Sequence, residues 1–389
     1  MKKVLLGTLA VLTLAACSKD EVVQQNPNDA ITFSATTNKA ISRAADGYCN
    51  DALPTTFNVW AAAQGKLYFA KEEYKQYDDG GTKKYKPTSG VMRYWPEGAS
   101  ATVDFFATKN ENGTEKFIYS GTTSLAFEGF AVNNTVSAQT DFIYAVNKGA
   151  SKGSTGTTTL NFRHALSQIE FQAKNQNSKI YVEIDGVSVK QVNSVGDFSV
   201  DVATTNNFQD HTLGTADTDS RVGRCSWDVK DSKADYDVTF TATAVGTTET
   251  SLTVTDATGE FNPNTMYLLP QTLTAWNKSA AASTQTDSYF IVNALIYNVA
   301  GASVDKDKDV VVWGDNTSGT WKSKPIAIPV PTSTTWEDGK RYVYTFVFTT
   351  DGNGGYDPDH NTPVLTPITL QVTVDDFVDA GNKDVTMDK

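Results

Sequence analysis

The chain has 389 residues, 11% of them aromatic, and a formal net charge of −12. That length allows two ordinary domains or one large β-domain, and the acidic balance makes nucleic acid and anionic membrane surfaces poor candidates as partners. Charged residues make up only 20% of the chain, and Thr, Ser, Asn and Gly are abundant, which is the composition of a polar, aromatic-rich, exported β-protein.

The first element is a targeting segment. Lys2 and Lys3 form a positive head, Val4 to Leu14 an apolar run too short to span a membrane, and Ala15-Ala16 lead into Cys17. Residues 1–16 therefore read as a signal peptide. A cysteine directly after Leu-Ala-Ala is the pattern of a bacterial lipoprotein, cut before Cys17 and acylated on its thiol, with palmitate among the expected chains. Several acyl chains on one residue anchor stably where a single chain binds marginally. Ser18, not an aspartate, argues against inner-membrane retention. Ser18-Lys19-Asp20-Glu21 resembles the acidic address that sends lipoproteins to the outer face of the outer membrane. The polar stretch from Ser18 to Asn28 reads as a tether.

Beyond the tether, no segment keeps a helical period. Apolar residues alternate with polar ones in short runs separated by Gly, Asn, Asp and Pro, the pattern of antiparallel sandwiches. Ile31, Phe33 and Ala35 alternate first, then Phe57, Val59 and Ala61, then Val103, Phe105 and Ala107. Further strands are expected over residues 142–146, 160–173, 180–189, 237–244, 289–299, 310–313, 341–349 and 367–374. In the last run, Ile368, Leu370, Val372 and Val374 face one way and Thr369, Gln371 and Thr373 the other.

Residues 148–159, rich in Gly, Ser and Thr, read as a linker, which divides the chain into an N-terminal domain over 44–152 and a C-terminal one over 153–389. Residues 75–86 and 351–361 read as exposed loops. Cys49 and Cys225 can pair in an oxidising compartment, but one pair carries no framework information, and both can equally be thiols.

The run Leu160-Asn161-Phe162-Arg163-His164-Ala165-Leu166-Ser167-Gln168-Ile169 resembles the fimbrillin family, the lipoprotein precursors of type V pili. Tyr94-Trp95-Pro96 before Phe105-Phe106, and Tyr267-Leu268-Leu269-Pro270-Gln271, extend the resemblance in order and spacing over most of the chain. It implies an all-β fold of two tandem antiparallel Greek-key β-sandwiches of transthyretin-like type. It also implies a life history: delivery to the outer membrane, cutting by an arginine- or trypsin-like protease, and assembly with other pilus subunits into an extracellular fimbrium.

On this sequence the matching cleavage point is Arg43-Ala44. Residues 17–43 would then be a lipidated tether with a removable first strand, Ile31, Phe33 and Ala35 would vacate a groove, and Ile368, Leu370, Val372 and Val374 are the candidate donor strand. Asp375-Asp376-Phe377 stands where the family often has a tryptophan, which leaves stalk, tip and accessory rank all open.

Catalytic and metal signatures are not expected. His164, His211 and His360 lack companions at ligand spacing, and neither a nucleophile elbow nor a phosphate loop occurs. Asp305, Asp307 and Asp309 alternate as in a calcium loop, but Val310 and Asn316 stand where glycine and glutamate are needed. Asp351, Asn353, Asp357 and Asp359 read as a solvated turn. No enzyme and no cofactor are expected. The competing reading is a monomeric, lipid-anchored lipoprotein that binds a host or bacterial surface glycan through exposed residues among Trp60, Trp95, Trp227, Trp276, Trp313, Trp321 and Trp336; a protein ligand is the other adhesive possibility.

Overall fold

Short strands with one apolar face each can bury that face only against another sheet, so their number calls for layers. The computed structural model describes residues 29–37, 53–98, 100–154, 156–202, 225–254, 264–301, 303–350, 355–364, 368–376 and 384–385. Among them the regular structure is strand, apart from two single 3-10 turns at Val136–Ala138 and Ala282–Thr284. The protein is all-β.

The first nine strands are β1 (Thr32–Thr37), β2 (Thr56–Ala63), β3 (Lys66–Asp79), β4 (Thr82–Pro87), β5 (Thr102–Lys109), β6 (Thr114–Ile118), β7 (Ser124–Ala131), β8 (Ile143–Ser151) and β9 (Thr157–His164). Seven of them close into a barrel in the order β1-β4-β3-β2-β5-β8-β9. Every pairing around it is antiparallel except the last, where β1 lies parallel to β9 with Thr32 opposite Thr157 and Thr37 opposite Phe162.

Next come β10 (Ser167–Asn175), β11 (Ile180–Asn193), β12 (Val195–Asp201), β13 (Ser226–Val229), β14 (Lys233–Ala244), β15 (Thr250–Ser251) and β16 (Met266–Leu268). Strands β6 and β7 join β12 and β13 in a four-stranded sheet that packs on the outside of the barrel. Trp60 meets Phe127 at a ring-centroid distance of 5.9 Å and Tyr144 meets Phe198 at 5.4 Å. On the inner side of the same barrel strands, Phe57, Val59, Phe105 and Ile143 belong to a separate buried cluster. Coverage on both faces explains why Val59-Trp60-Ala61-Ala62 and Phe105-Phe106-Ala107 are unbroken apolar runs.

The remaining strands are β17 (Tyr289–Asn298), β18 (Val310–Trp313), β19 (Asp315–Thr317), β20 (Thr320–Lys322), β21 (Lys324–Pro329), β22 (Lys340–Phe348), β23 (Ile368–Asp376) and β24 (Asp384–Val385). Two sheets form the C-terminal sandwich. One runs β15-β10-β22-β23-β24 with β16 also on β10, and the other β14-β11-β17-β18 with β21 also on β17. Phe171 of the first meets Phe290 of the second at 5.4 Å. Their shared core is continuous with the residues that hold the four-stranded sheet against the barrel. Strands β19 and β20 form a hairpin of their own.

Two local expectations are corrected. Residues 148–159 do not link domains: they run from the end of β8 through a turn into β9, inside the barrel. Glycines and hydroxyls there serve a parallel closure in which Thr and Ser line the solvent side. Residues 75–86 are not a loop but the tip of the β3–β4 hairpin. Gly80 and Gly81 turn it at φ 63° and 86°, the paired positive values of a tight hairpin turn, and Tyr85 is buried beneath it.

Candidate functional site

The strand that closes the barrel, β1, is the first among the described residues. Ile31, Phe33 and Ala35 point inward and are buried. Phe33 sits among Tyr74, Phe105 and Phe57, with ring centroids at 4.9, 5.1 and 6.3 Å. Outward, Thr32 and Ser34 hydroxyls lie 2.8 and 2.9 Å from those of Thr157 and Thr159. The strand's entrance is fixed by backbone: the Ile31 N–H donates to Arg93 O at 2.7 Å and the Trp95 N–H to Asp29 O at 2.9 Å. Lys152 pairs with the Asp29 carboxylate. The Trp95 indole N–H donates to Gly156 O at 2.9 Å, spanning the two walls.

Within this slot the fully buried side chains of Ile31 and Phe33 are each worth about 1.5–3 kcal/mol. The Tyr74 hydroxyl, against Phe33, has no hydrogen-bond partner among the described residues, and burial pushes its pKa far up. Tyr85 is better served, donating to Pro54 O at 2.8 Å and accepting from Gln76 at 3.0 Å.

At the other end of the chain, β23 lies between β22 and β24. Ile368, Leu370, Val372 and Val374 stand opposite Phe348, Phe346, Tyr344 and Tyr342. Ile368 is buried, and the other three pack half-buried against the sandwich core. The donor candidates therefore serve as a strand of their own fold. Cys17, Arg43, Ala44, Cys49, His211, Asp351 and Asn353 lie outside the described residues.

The polar residues singled out from the sequence are occupied by the fold. His164 Nδ1 is 2.7 Å from Asp141 Oδ2. Asp305 and Asp309 fold their own turn, Asp309 accepting from the Asp305 N–H at 2.7 Å. Asp357 accepts from Lys324 at 2.7 Å, from the Asp359 N–H at 3.0 Å and from His360. Desolvation would raise its pKa, but these donors outweigh it and hold the carboxyl down at about 2. Of the tryptophans, Trp60, Trp95, Trp276 and Trp336 are buried, and Trp227 and Trp313 are half-buried. Only Trp321 is exposed, at 42%. A multi-tryptophan platform is not present.

A barrel closed by its own N-terminal strand, joined to a second β-sandwich through one continuous core, is the context for the comparisons. The sequence profile described as fimbrillin-like matches residues 26–376. The chain belongs to the fimbrillin-like family. Family membership makes it a pilus or adhesin subunit of the cell surface or extracellular fimbrium, in association with other pilus subunits.

The chain is also similar to the solved structure of a candidate cell adhesion protein from Bacteroides uniformis ATCC 8492, at 12% identity, over 91% of this chain and 100% of that one, with a TM-score of 0.43. A candidate cell adhesion protein from Bacteroides eggerthii DSM 20697 matches at 14% identity over 90% and 97%, with a TM-score of 0.40. A fimbrial assembly protein from Parabacteroides distasonis ATCC 8503 matches at 10% identity over 91% and 97%, with a TM-score of 0.36. No curated protein matches the chain.

Proposed function

We propose that this fimbrillin-like protein is exported as a lipoprotein acylated on Cys17, is cut after Arg43 by an arginine- or trypsin-like protease, and polymerises by strand exchange at the barrel. The observation that carries the reading is the position of β1. Arg43 falls between β1 and β2 in the sequence, so a cut there severs the barrel's closing strand from the rest of the chain. After the cut, β1 is held by non-covalent contacts alone.

Loss of β1 would expose the backbone edges of β4 and β9 and empty the space filled by Ile31, Phe33 and Ala35. An open edge beside an apolar groove templates a strand from another chain. The C-terminal run Ile368 to Val374 is the donor this reading favours, because its apolar residues recur at every second position as in the departed strand. On release it would give up the buried place of Ile368 and the half-buried places of Leu370, Val372 and Val374 for buried ones in a neighbour.

The test is treatment of the surface-extracted protein with an arginine-specific protease, followed by electron microscopy and N-terminal sequencing. Filaments or ladders whose subunits begin at Ala44 are expected. Assembled material that still begins at Cys17 removes the processing step, and a cut protein that stays monomeric removes strand exchange.

A further inference from the structure

One cleft in the C-terminal sandwich is left unexplained by assembly. It opens on the outer face of the β11–β17 sheet, has a volume of about 540 Å³, and is roofed by the β19–β20 hairpin. We propose that this cleft binds an uncharged saccharide unit, with Trp321 as the stacking platform and Glu183 and Asp185 as acceptors for sugar hydroxyls.

The hairpin is built to hold its shape. Ser318 and Gly319 turn it at φ 57° and 85°, and Asn316 Oδ1 accepts the Gly319 N–H at 3.0 Å. At its base, a Cβ on Gly314 would come within 2.6 Å of Leu295 Cδ1 and 3.1 Å of Lys322 O. The arm is thus pressed close onto the sheet. It carries Trp321 at 42% exposure, alone among the chain's tryptophans. A large apolar ring left in water forgoes burial that its six counterparts obtain at least in part, and a ligand face is what would cover it.

The floor is equally specific. A bulge between Ile184 and Gly186 leaves Asp185 without a partner residue on either neighbouring strand, and such bulges re-aim side chains. Here the Asp185 carboxylate turns to the cleft and accepts from Ser323 Oγ at 2.6 Å. Gly186 is required beside it, since a Cβ would lie 2.7 Å from Asn293 Nδ2 and 3.0 Å from Val238 O. Glu183 is fixed by Lys306 Nζ at 2.7 Å and by the Tyr181 hydroxyl, which donates at 2.9 Å. An ionised carboxylate has about four acceptor positions, so both groups keep capacity for a ligand while their orientation is set.

The chemistry selects the ligand class. A pyranose offers a face of C–H groups to an aromatic ring and a rim of hydroxyls to fixed polar groups. The cleft is within the usual size of small-molecule sites, roughly 300–1,000 Å³. Glu183 and Asp185 balance Lys306 and Lys322, all of them cleft-lining, so the lining is neutral and the −12 chain disfavours anionic sugars. Metal binding is a poorer fit, because no metal-binding group of three or more His, Cys, Asp or Glu occurs among the described residues.

The test is calorimetric titration, with tryptophan fluorescence, of the full-length protein against lactose, maltotriose, mannotriose and triacetylchitotriose. At least one should bind with a Kd below about 1 mM, and both Trp321→Ala and the Glu183→Gln/Asp185→Asn pair should weaken it by about tenfold or more without shifting the melting temperature. Arg43→Ala should bind like the unaltered chain, which separates this site from the strand-exchange reading. Failure of all four sugars to bind at concentrations on the order of 10 mM overturns the proposal, as does binding that survives Trp321→Ala.

Discussion

Phe33 and Phe105 meet edge to face inside the barrel, their centroids 5.1 Å apart and their planes at 85°. One ring belongs to the closing strand and the other to a strand buried on both sides. The contact therefore ties β1 directly to the doubly covered wall of the barrel.

Phe33→Ala should cost about 3–5 kcal/mol, the usual range for a buried Phe-to-Ala cavity. Ser34→Ala, which removes only an outward hydroxyl contact, should cost about 1 kcal/mol or less. Chemical denaturation of the two variants checks the contrast; equal losses would mean that β1 is not seated as described.

Tyr74→Phe should be neutral or stabilising. The hydroxyl is buried without a partner among the described residues, and an unpaired buried polar group costs about 1–3 kcal/mol. A marked drop in melting temperature would show that the hydroxyl is engaged.

The donor role of β23 has its own measurement. A peptide spanning residues 367–376, added to protein cut after Arg43 and freed of β1, should raise its melting temperature and suppress aggregation. A peptide with Leu370 and Val372 changed to Asp should do neither. Equal behaviour of the two peptides removes β23 as the donor.

How much of this was legible in the sequence depended on whether a strand had one wet face. β1 and β23 alternate cleanly, so their inward sets were readable. β2 and β5 show one face through Phe57, Val59 and Ala61 and through Val103, Phe105 and Ala107, but their second buried face, carried by Trp60 and Phe106, depends on a sheet that arrives later in the chain. The β1–β9 closure was not readable either. Its partners are 125 residues apart, and its Gly/Ser/Thr composition imitates a linker. Arg43 stood out only through the family resemblance. Asp185 gave no signal, because a bulge is a feature of pairing rather than of composition.

Asp357 gives a pH prediction. Its folded pKa of about 2 lies below the ordinary value of 3.8, so its contribution to stability is full above about pH 4 and is lost as pH falls through 2. Asp357→Asn should therefore be less stable than the parent at pH 7, and the gap should shrink between about pH 4 and pH 2. A gap that stays constant over that window would show that the Lys324 contact is not electrostatic.

The two walls beside β1 run in opposite senses, β9 with it and β4 against it. A guest can satisfy both only by entering in one direction. Were each guest the tail of another copy, every joint would be head-to-tail and of the same hand, and repetition would yield a thread with distinct ends in place of a sealed pair.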